Sequence, residues 1–342
     1  KNLIHIIMKR NFLHLSLLIG GLTFASCTST ILDSTHVVEP DELIDFGLKW
    51  TEHTRGAQLT NDALTSMGVF ASKNLGDYDP TTSKNEFMYN QLVEKKNNVW
   101  TYSPVKQWPV IEGVSFFAYA PYMNDADVLA FSPQSEPGYP QFTYTMPVNI
   151  ADQIDLLVAQ PKCDQYYYKS PTVDFSFSHQ LACIDFSASL AANFPVGGDM
   201  KITQIIVAGL NTKGTLAVPP LPATDYVWTL DESQKAEFTF STANGLLDNR
   251  MLSKVPQQLT NSVNKFMPIP QTISAQGRMI VRTEYTKGGI TKAIAFENAI
   301  ALSKLLPGKR YVINLELNVT EIQVDYVVND WVVNNIEIPP FN

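Results

Sequence analysis

Cysteine is scarce in this chain, with three among 342 residues, at positions 27, 163 and 183. Three thiols are too few for a disulfide scaffold, and their spacing matches no zinc site. Histidine is almost as rare. Past the first 26 residues only His36, His53 and His179 remain, none at ligand spacing from another histidine or cysteine, so no metal is expected. Basic residues are outnumbered, 25 Lys and Arg against 33 Asp and Glu, and the net charge of −8 makes nucleic acid a poor partner. Helical periodicity is scarce and low-complexity tracts are missing. The sequence also lacks G-x-S-x-G, H-E-x-x-H, a P-loop and G-x-G-x-x-G, so it offers no catalytic signature and no cofactor fingerprint. An enzyme is therefore not expected.

The N-terminus has the layout of a secretion signal. Lys9 and Arg10 form a basic start, and 12–24 is a mostly apolar run too short to cross a bilayer. Ala25 and Ser26 then lead to Cys27, the order a lipoprotein signal peptidase requires: small residues at the cut and a thiol to take diacylglycerol. Phe24 replaces the usual leucine three positions before the cysteine. Met8 reads as the start, with 1–7 as upstream extension, 1–26 as the signal and 27–40 as a lipid-anchored tether. Loss of 1–26 removes three positive and no negative charges, leaving 22 basic against 33 acidic residues, about −11. The expected location is the outer membrane or cell surface, with Cys27 as the lipidation site.

Nearly every periodic segment alternates apolar with polar residues and ends in Gly, Pro, Asn or Asp. The clearest is Arg310 to Thr320, where Tyr311, Ile313, Leu315, Leu317 and Val319 share one face. Similar runs cover 114–120, 154–159, 201–208, 237–241, 279–285, 292–296 and 322–326, while 75–85 and 132–140 read as loops. An all-β sandwich architecture follows. A polar break at Lys169, Ser170 and Pro171 divides the chain into 41–170 and 171–342, each of sandwich size.

Several residues invite a chemical reading. His179 lies on an alternating strand, where a packed, hydrogen-bonded histidine is the ordinary case. Asp231 with Glu232, and Asp125 with Asp127, sit in turn-like contexts that favour solvated charge. Trp50, Trp100, Trp108, Trp228 and Trp331 could stack on sugars, although core packing suits most of them, and Trp108 and Trp331 are the ones to inspect for exposure. A second functional class stays open on these grounds: a carbohydrate-binding surface lipoprotein of a glycan-uptake system. Whether Cys163 and Cys183 form a disulfide is also left open.

Taken in order, several segments resemble the fimbrillin family, the FimA-like and Mfa-like type V pilus lipoproteins of Bacteroidia. They are Thr54-Arg55-Gly56, the run 67–71, Trp100 to Tyr102 with Lys106 to Pro109, the run 116–121, Val173 to Leu181, Pro268 to Gln271, and Leu306 to Tyr311 leading on to Trp331. The resemblance covers nearly the whole mature chain. It implies two transthyretin-like β-sandwich domains in series. It also implies assembly by strand exchange, in which an Arg-specific protease cuts after the first strand and a strand from another pilin subunit fills the vacated groove. Carried onto this sequence, the scissile bond is Arg55–Gly56 and the released strand holds Leu43, Ile44, Phe46, Leu48 and Trp50. The donor segment lies near 327–342, with Val328, Trp331, Val333, Ile336 and Ile338 as apolar anchors. The partners so implied are other pilin subunits, the protease, the outer membrane through Cys27, and a host or bacterial surface ligand.

Overall fold

Among the described residues strand follows strand with almost no helix, as the alternation predicts. The computed structural model describes residues 42–48, 64–166, 168–218, 225–260, 265–300 and 302–331. The first half holds β1 (Asp45–Leu48), β2 (Ser66–Asn74), β3 (Met88–Lys96), β4 (Val99–Tyr102), β5 (Gly113–Ala120), β6 (Leu129–Phe131), β7 (Phe142–Thr145), β8 (Leu157–Ala159), β9 (Lys162–Gln165), β10 (Thr172–Phe175) and β11 (Phe177–His179). The second half holds β12 (Cys183–Leu190), β13 (Gly198–Asn211), β14 (Lys213–Ala217), β15 (Val227–Leu230), β16 (Lys235–Ser241), β17 (Gln257–Gln258), β18 (Arg278–Lys287), β19 (Ile290–Ala299), β20 (Lys309–Leu317) and β21 (Ile322–Asp330). Among the described residues there is one 3-10 turn, Ile150–Asp152, capped by the Asn149 side chain.

Hydrogen bonding sorts the strands into five sheets. The largest runs β11-β8-β5-β2-β3-β4, with β9 also on β5. Beside it are a parallel pair, β1-β10, and a sheet ordered β15-β14-β7-β6. The remaining two, β17-β12-β20-β21 and β16-β13-β18-β19, enclose the core of the second half. The paired sheets of the first half continue beyond Pro171, because β10 pairs with β1 and β11 with β8. The second half also returns a hairpin, β14-β15, to strands β7 and β6.

The centre of the large first-half sheet is buried on both faces, which its composition explains. In β5 all eight residues, Gly-Val-Ser-Phe-Phe-Ala-Tyr-Ala, are buried. Val114, Phe116, Ala118 and Ala120 point into a smaller apolar cluster with Ile44, Phe46 and Phe175. Phe117 and Tyr119 point into a larger one, which continues through β12, β13 and β20 to Trp331. A strand buried on both sides needs a near-continuous apolar run. Gly68 on β2 has no side chain because the Tyr119 ring covers it: a Cβ there would come within 2.1 Å of the ring.

Register shifts bend β13 twice, between Ile202 and Gln204 against β18 and between Ala208 and Leu210 against β16. The second bend falls on Gly209, at φ +81°, where a Cβ would lie 2.4 Å from the Gln276 carbonyl oxygen. Only glycine meets both demands at this bulge.

Candidate functional site

The segment expected to be released, β1 and its approach, lies in a slot between two stretches of chain. On one side Ile44 N–H donates to Lys106 O at 2.9 Å and Trp108 N–H donates to Glu42 O at 3.0 Å. On the other side β1 runs parallel to β10 with Asp45 opposite Thr172 and Leu48 opposite Phe175. The Tyr102 hydroxyl ties β1 to the first of these, donating to Ile44 O at 2.8 Å and accepting from Lys106 N–H at 3.2 Å. Burial pushes the Tyr102 phenol pKa up, so the donor stays protonated.

Side chains anchor β1 by alternation. Ile44 is fully buried and Phe46 is 6% exposed. The Phe46 ring lies 5.2 Å from Tyr102, 5.8 Å from Phe116 in an edge contact and 5.8 Å from Phe175 in a stacked one. Leu48 is partly buried against the same cluster. Leu43 does not belong to this row: it faces the other way and is 45% exposed, because neighbouring residues on an extended chain point to opposite sides. Trp50, Arg55 and Gly56 lie outside the described residues, as does Cys27. The slot is thus an apolar trough walled by unpaired-if-vacant backbone groups, a surface that a second extended chain matches better than any compact ligand.

At the other end of the chain the expected donor segment is divided. Val328 is paired with Tyr311 inside β21 and is 44% exposed. Trp331 is 7% exposed, donates its N–H to Gly308 O at 2.9 Å and stacks on His179 at 4.3 Å and 15°. Both are therefore committed to the body of the protein. Val333, Ile336 and Ile338 lie outside the described residues.

The residues with enzyme-like chemistry have structural partners. His179 Nδ1 is 2.8 Å from Asp155 Oδ1 and its ring is covered by Trp331. Asp231 accepts hydrogen bonds from the Ser233 N–H and hydroxyl, which hold its carboxyl below the usual range, and Asp125 accepts from Asp127 N–H. Among the described residues no group of three His, Cys, Asp or Glu is placed to hold a metal. Trp108 is 3% exposed with its indole N–H donating to Pro171 O, and the Trp228 indole donates to Gln180 O. Neither tryptophan singled out for exposure forms an open platform.

Cys163 and Cys183 are free thiols. Cys183 is fully buried, and burial, then the charge of Asp185, pushes its pKa far up. Alkylation of the native protein is expected to modify Cys183 more slowly than the half-buried Cys163, with the difference vanishing in denaturant. Equal native rates, measured by mass spectrometry, would show that β12 opens readily.

The described residues are thus all-β, with β1 seated in an apolar slot and with structural partners for His179, Asp231 and Asp125. The fimbrillin-like family model matches residues 54–331, and the chain belongs to that family. The family is one of structural fimbrial subunits. Over 219 residues the chain is 30% identical to the fimbrium subunit Fim1C of Phocaeicola vulgatus, a match that covers 57% of this chain and about half, 55%, of that relative. The fold is similar to that of a fimbrial protein from Bacteroides vulgatus solved by crystallography. The TM-score is 0.68 at 19% identity, covering 84% of this chain and 99% of the other.

Proposed function

We propose that this protein is a structural subunit of a cell-surface fimbrium that supports adhesion, exported as a lipoprotein through Cys27 and joined to other pilin subunits by strand exchange at the β1 slot. The observation that carries the reading is the way β1 is held. Ile44 and Phe46 fill an apolar trough, while the rest of the attachment is main-chain hydrogen bonding, which any extended segment of suitable pattern can reproduce. Arg55, seven residues beyond β1, is the proposed point of cleavage, and the donor comes from the segment that follows Trp331. In this reading the chain comprises two transthyretin-like sandwiches in series, with β10 and β11 remaining with the first and β14-β15 tying the second to it. The lipid anchor serves the precursor, and the fimbrium holds the mature form.

Incubation of the purified mature precursor with an Arg-specific protease tests this. Cleavage after Arg55, loss of the β1 peptide and growth of multimers on size exclusion are the expected results, and Arg55→Ala should block all three. A chain that is cut at Arg55 yet remains monomeric with β1 still bound would overturn strand exchange.

A further inference from the structure

A polar groove of about 460 Å³ lies on the first half of the protein, beside the β1 slot. Its size falls in the range of small-molecule sites. Its charge is unusual for this molecule, because on a chain of net charge −8 it gathers three lysines, Lys73, Lys84 and Lys106, against two glutamates. The ring of Phe87 draws two of the lysines together, with the ammonium of Lys73 5.5 Å and that of Lys106 5.6 Å from its centroid. Lys73 is neutralised by Glu112 at 2.8 Å, and Lys84 approaches Glu86 at 4.0 Å. Lys106 has no acidic partner among the described residues, so within those residues the lining carries one positive charge more than its glutamates balance. Thr82, Ser83 and Asn74 add hydroxyl and amide groups to the lining.

We propose that this groove binds an acidic saccharide, with the sugar carboxylate on Lys106 and the ring hydroxyls on the polar lining. The chemistry favours this class over the alternatives. An apolar ligand would strand the lysines and glutamates, and a neutral sugar would leave the Lys106 charge unanswered, whereas a carboxylate-bearing sugar satisfies both the charge and the hydroxyl-bonding wall. The inference rests on the adhesive reading of the protein and names the kind of surface it would meet. It also links the two sites, since the backbone carbonyl of Lys106 is the acceptor for Ile44 N–H, so the strand occupying the β1 slot is hydrogen-bonded to the residue that carries the free ammonium.

The test is a calorimetric or NMR titration of the full mature chain with a glucuronate-containing disaccharide and with its neutral glucose counterpart. The acidic sugar is expected to bind, and the neutral one at least about tenfold more weakly. Lys106→Met keeps an aliphatic stem over Phe87 and is expected to lose about tenfold in affinity, while Lys106→Arg retains binding and Lys292→Met, on distant β19, changes nothing. Raising the salt should weaken the wild-type interaction. Equal binding of the two sugars, no binding of the acidic one at millimolar concentration, or an unchanged Lys106→Met variant would overturn the proposal. Displacement by inorganic phosphate as readily as by free glucuronate would also overturn it, reassigning the groove to simple anions. Electron microscopy of the same preparations separates this inference from the fimbrial reading: filaments without saccharide binding remove only the groove proposal, and saccharide binding by a chain that never assembles removes only the strand-exchange reading.

Discussion

Replacing Phe46 with alanine is expected to destabilise the seat of β1 by about 3–5 kcal/mol, the cost of deleting a buried aromatic ring from a packed site. Phe46 touches Tyr102, Phe116 and Phe175 at once, so the cavity left behind would be lined by rings that cannot collapse into it without shifting three separate strands. The effect should be local. Faster amide exchange is expected in β1, in its parallel partner β10 and in 106–108, with β12, β13 and β20 little changed, because those strands belong to the larger apolar cluster. Hydrogen exchange read by mass spectrometry checks this directly. A uniform acceleration across the whole chain would mean that β1 is part of one cooperative unit and not a separable strand, and strand release without global unfolding would then be untenable.

The second large effect is expected at Asp185. This carboxylate is 2% exposed in its side chain and is bonded to Arg310 Nε at 2.5 Å, itself 9% exposed. Thr260 Oγ1 donates to it at 3.0 Å and Lys265 Nζ lies 3.4 Å away. Asp185→Asn is expected to cost about 3–5 kcal/mol, because a guanidinium and an ammonium would be left facing each other without their shared counter-charge. The double variant Asp185→Leu with Arg310→Met should recover part of that loss, since an apolar pair avoids the desolvation of two ions and the Lys265 ammonium, 21% exposed, can turn to water. Denaturant titration of the three proteins gives the comparison. If the double variant is as unstable as Asp185→Asn, the cluster contributes through more than its charge balance.

The same region marks how far the sequence alone could be read. Alternation over Arg310 to Thr320 located β20, which runs Lys309–Leu317, and placed Tyr311, Ile313, Leu315 and Leu317 on the core side. The opposite row carries Arg310 and Asn314, polar residues that the local pattern by itself would leave in water. It is buried instead: Asn314 is 4% exposed and hydrogen-bonds Ser187, while Arg310 meets Asp185. Polarity signals water only until a partner is supplied, and these partners sit 127 and 125 residues away in sequence. The apolar character of Ile44, Phe46 and Leu48 was legible, and these residues do pack inward, but the walls they pack against were not. Parallel pairing of β1 with β10 and the reach of the Tyr102 hydroxyl are long-range facts with no local signature. Short strands such as β6, β14 and β15, three to five residues each, also carry too few residues for a period to show. The groove at Lys106 was invisible for a similar reason, because Lys73 on β2, Phe87 in the loop before β3, and Lys106 and Glu112 in the loop before β5 meet only in the folded chain.

The bent strand β13 has a mechanical meaning. Thr212 alone separates it from β14, so the stretch 198–217 passes from the second-half sheet to the sheet it shares with β6 and β7, in near-unbroken extension. A pull delivered along that stretch would load the flanking ladders in shear, with many hydrogen bonds sharing the force at once, instead of peeling them open one by one from a free end. Resistance to such a load is set by the rate of forced unfolding and not by equilibrium stability. If the proposed fimbrial role holds, that rate is the quantity that decides whether a subunit keeps its fold under tension.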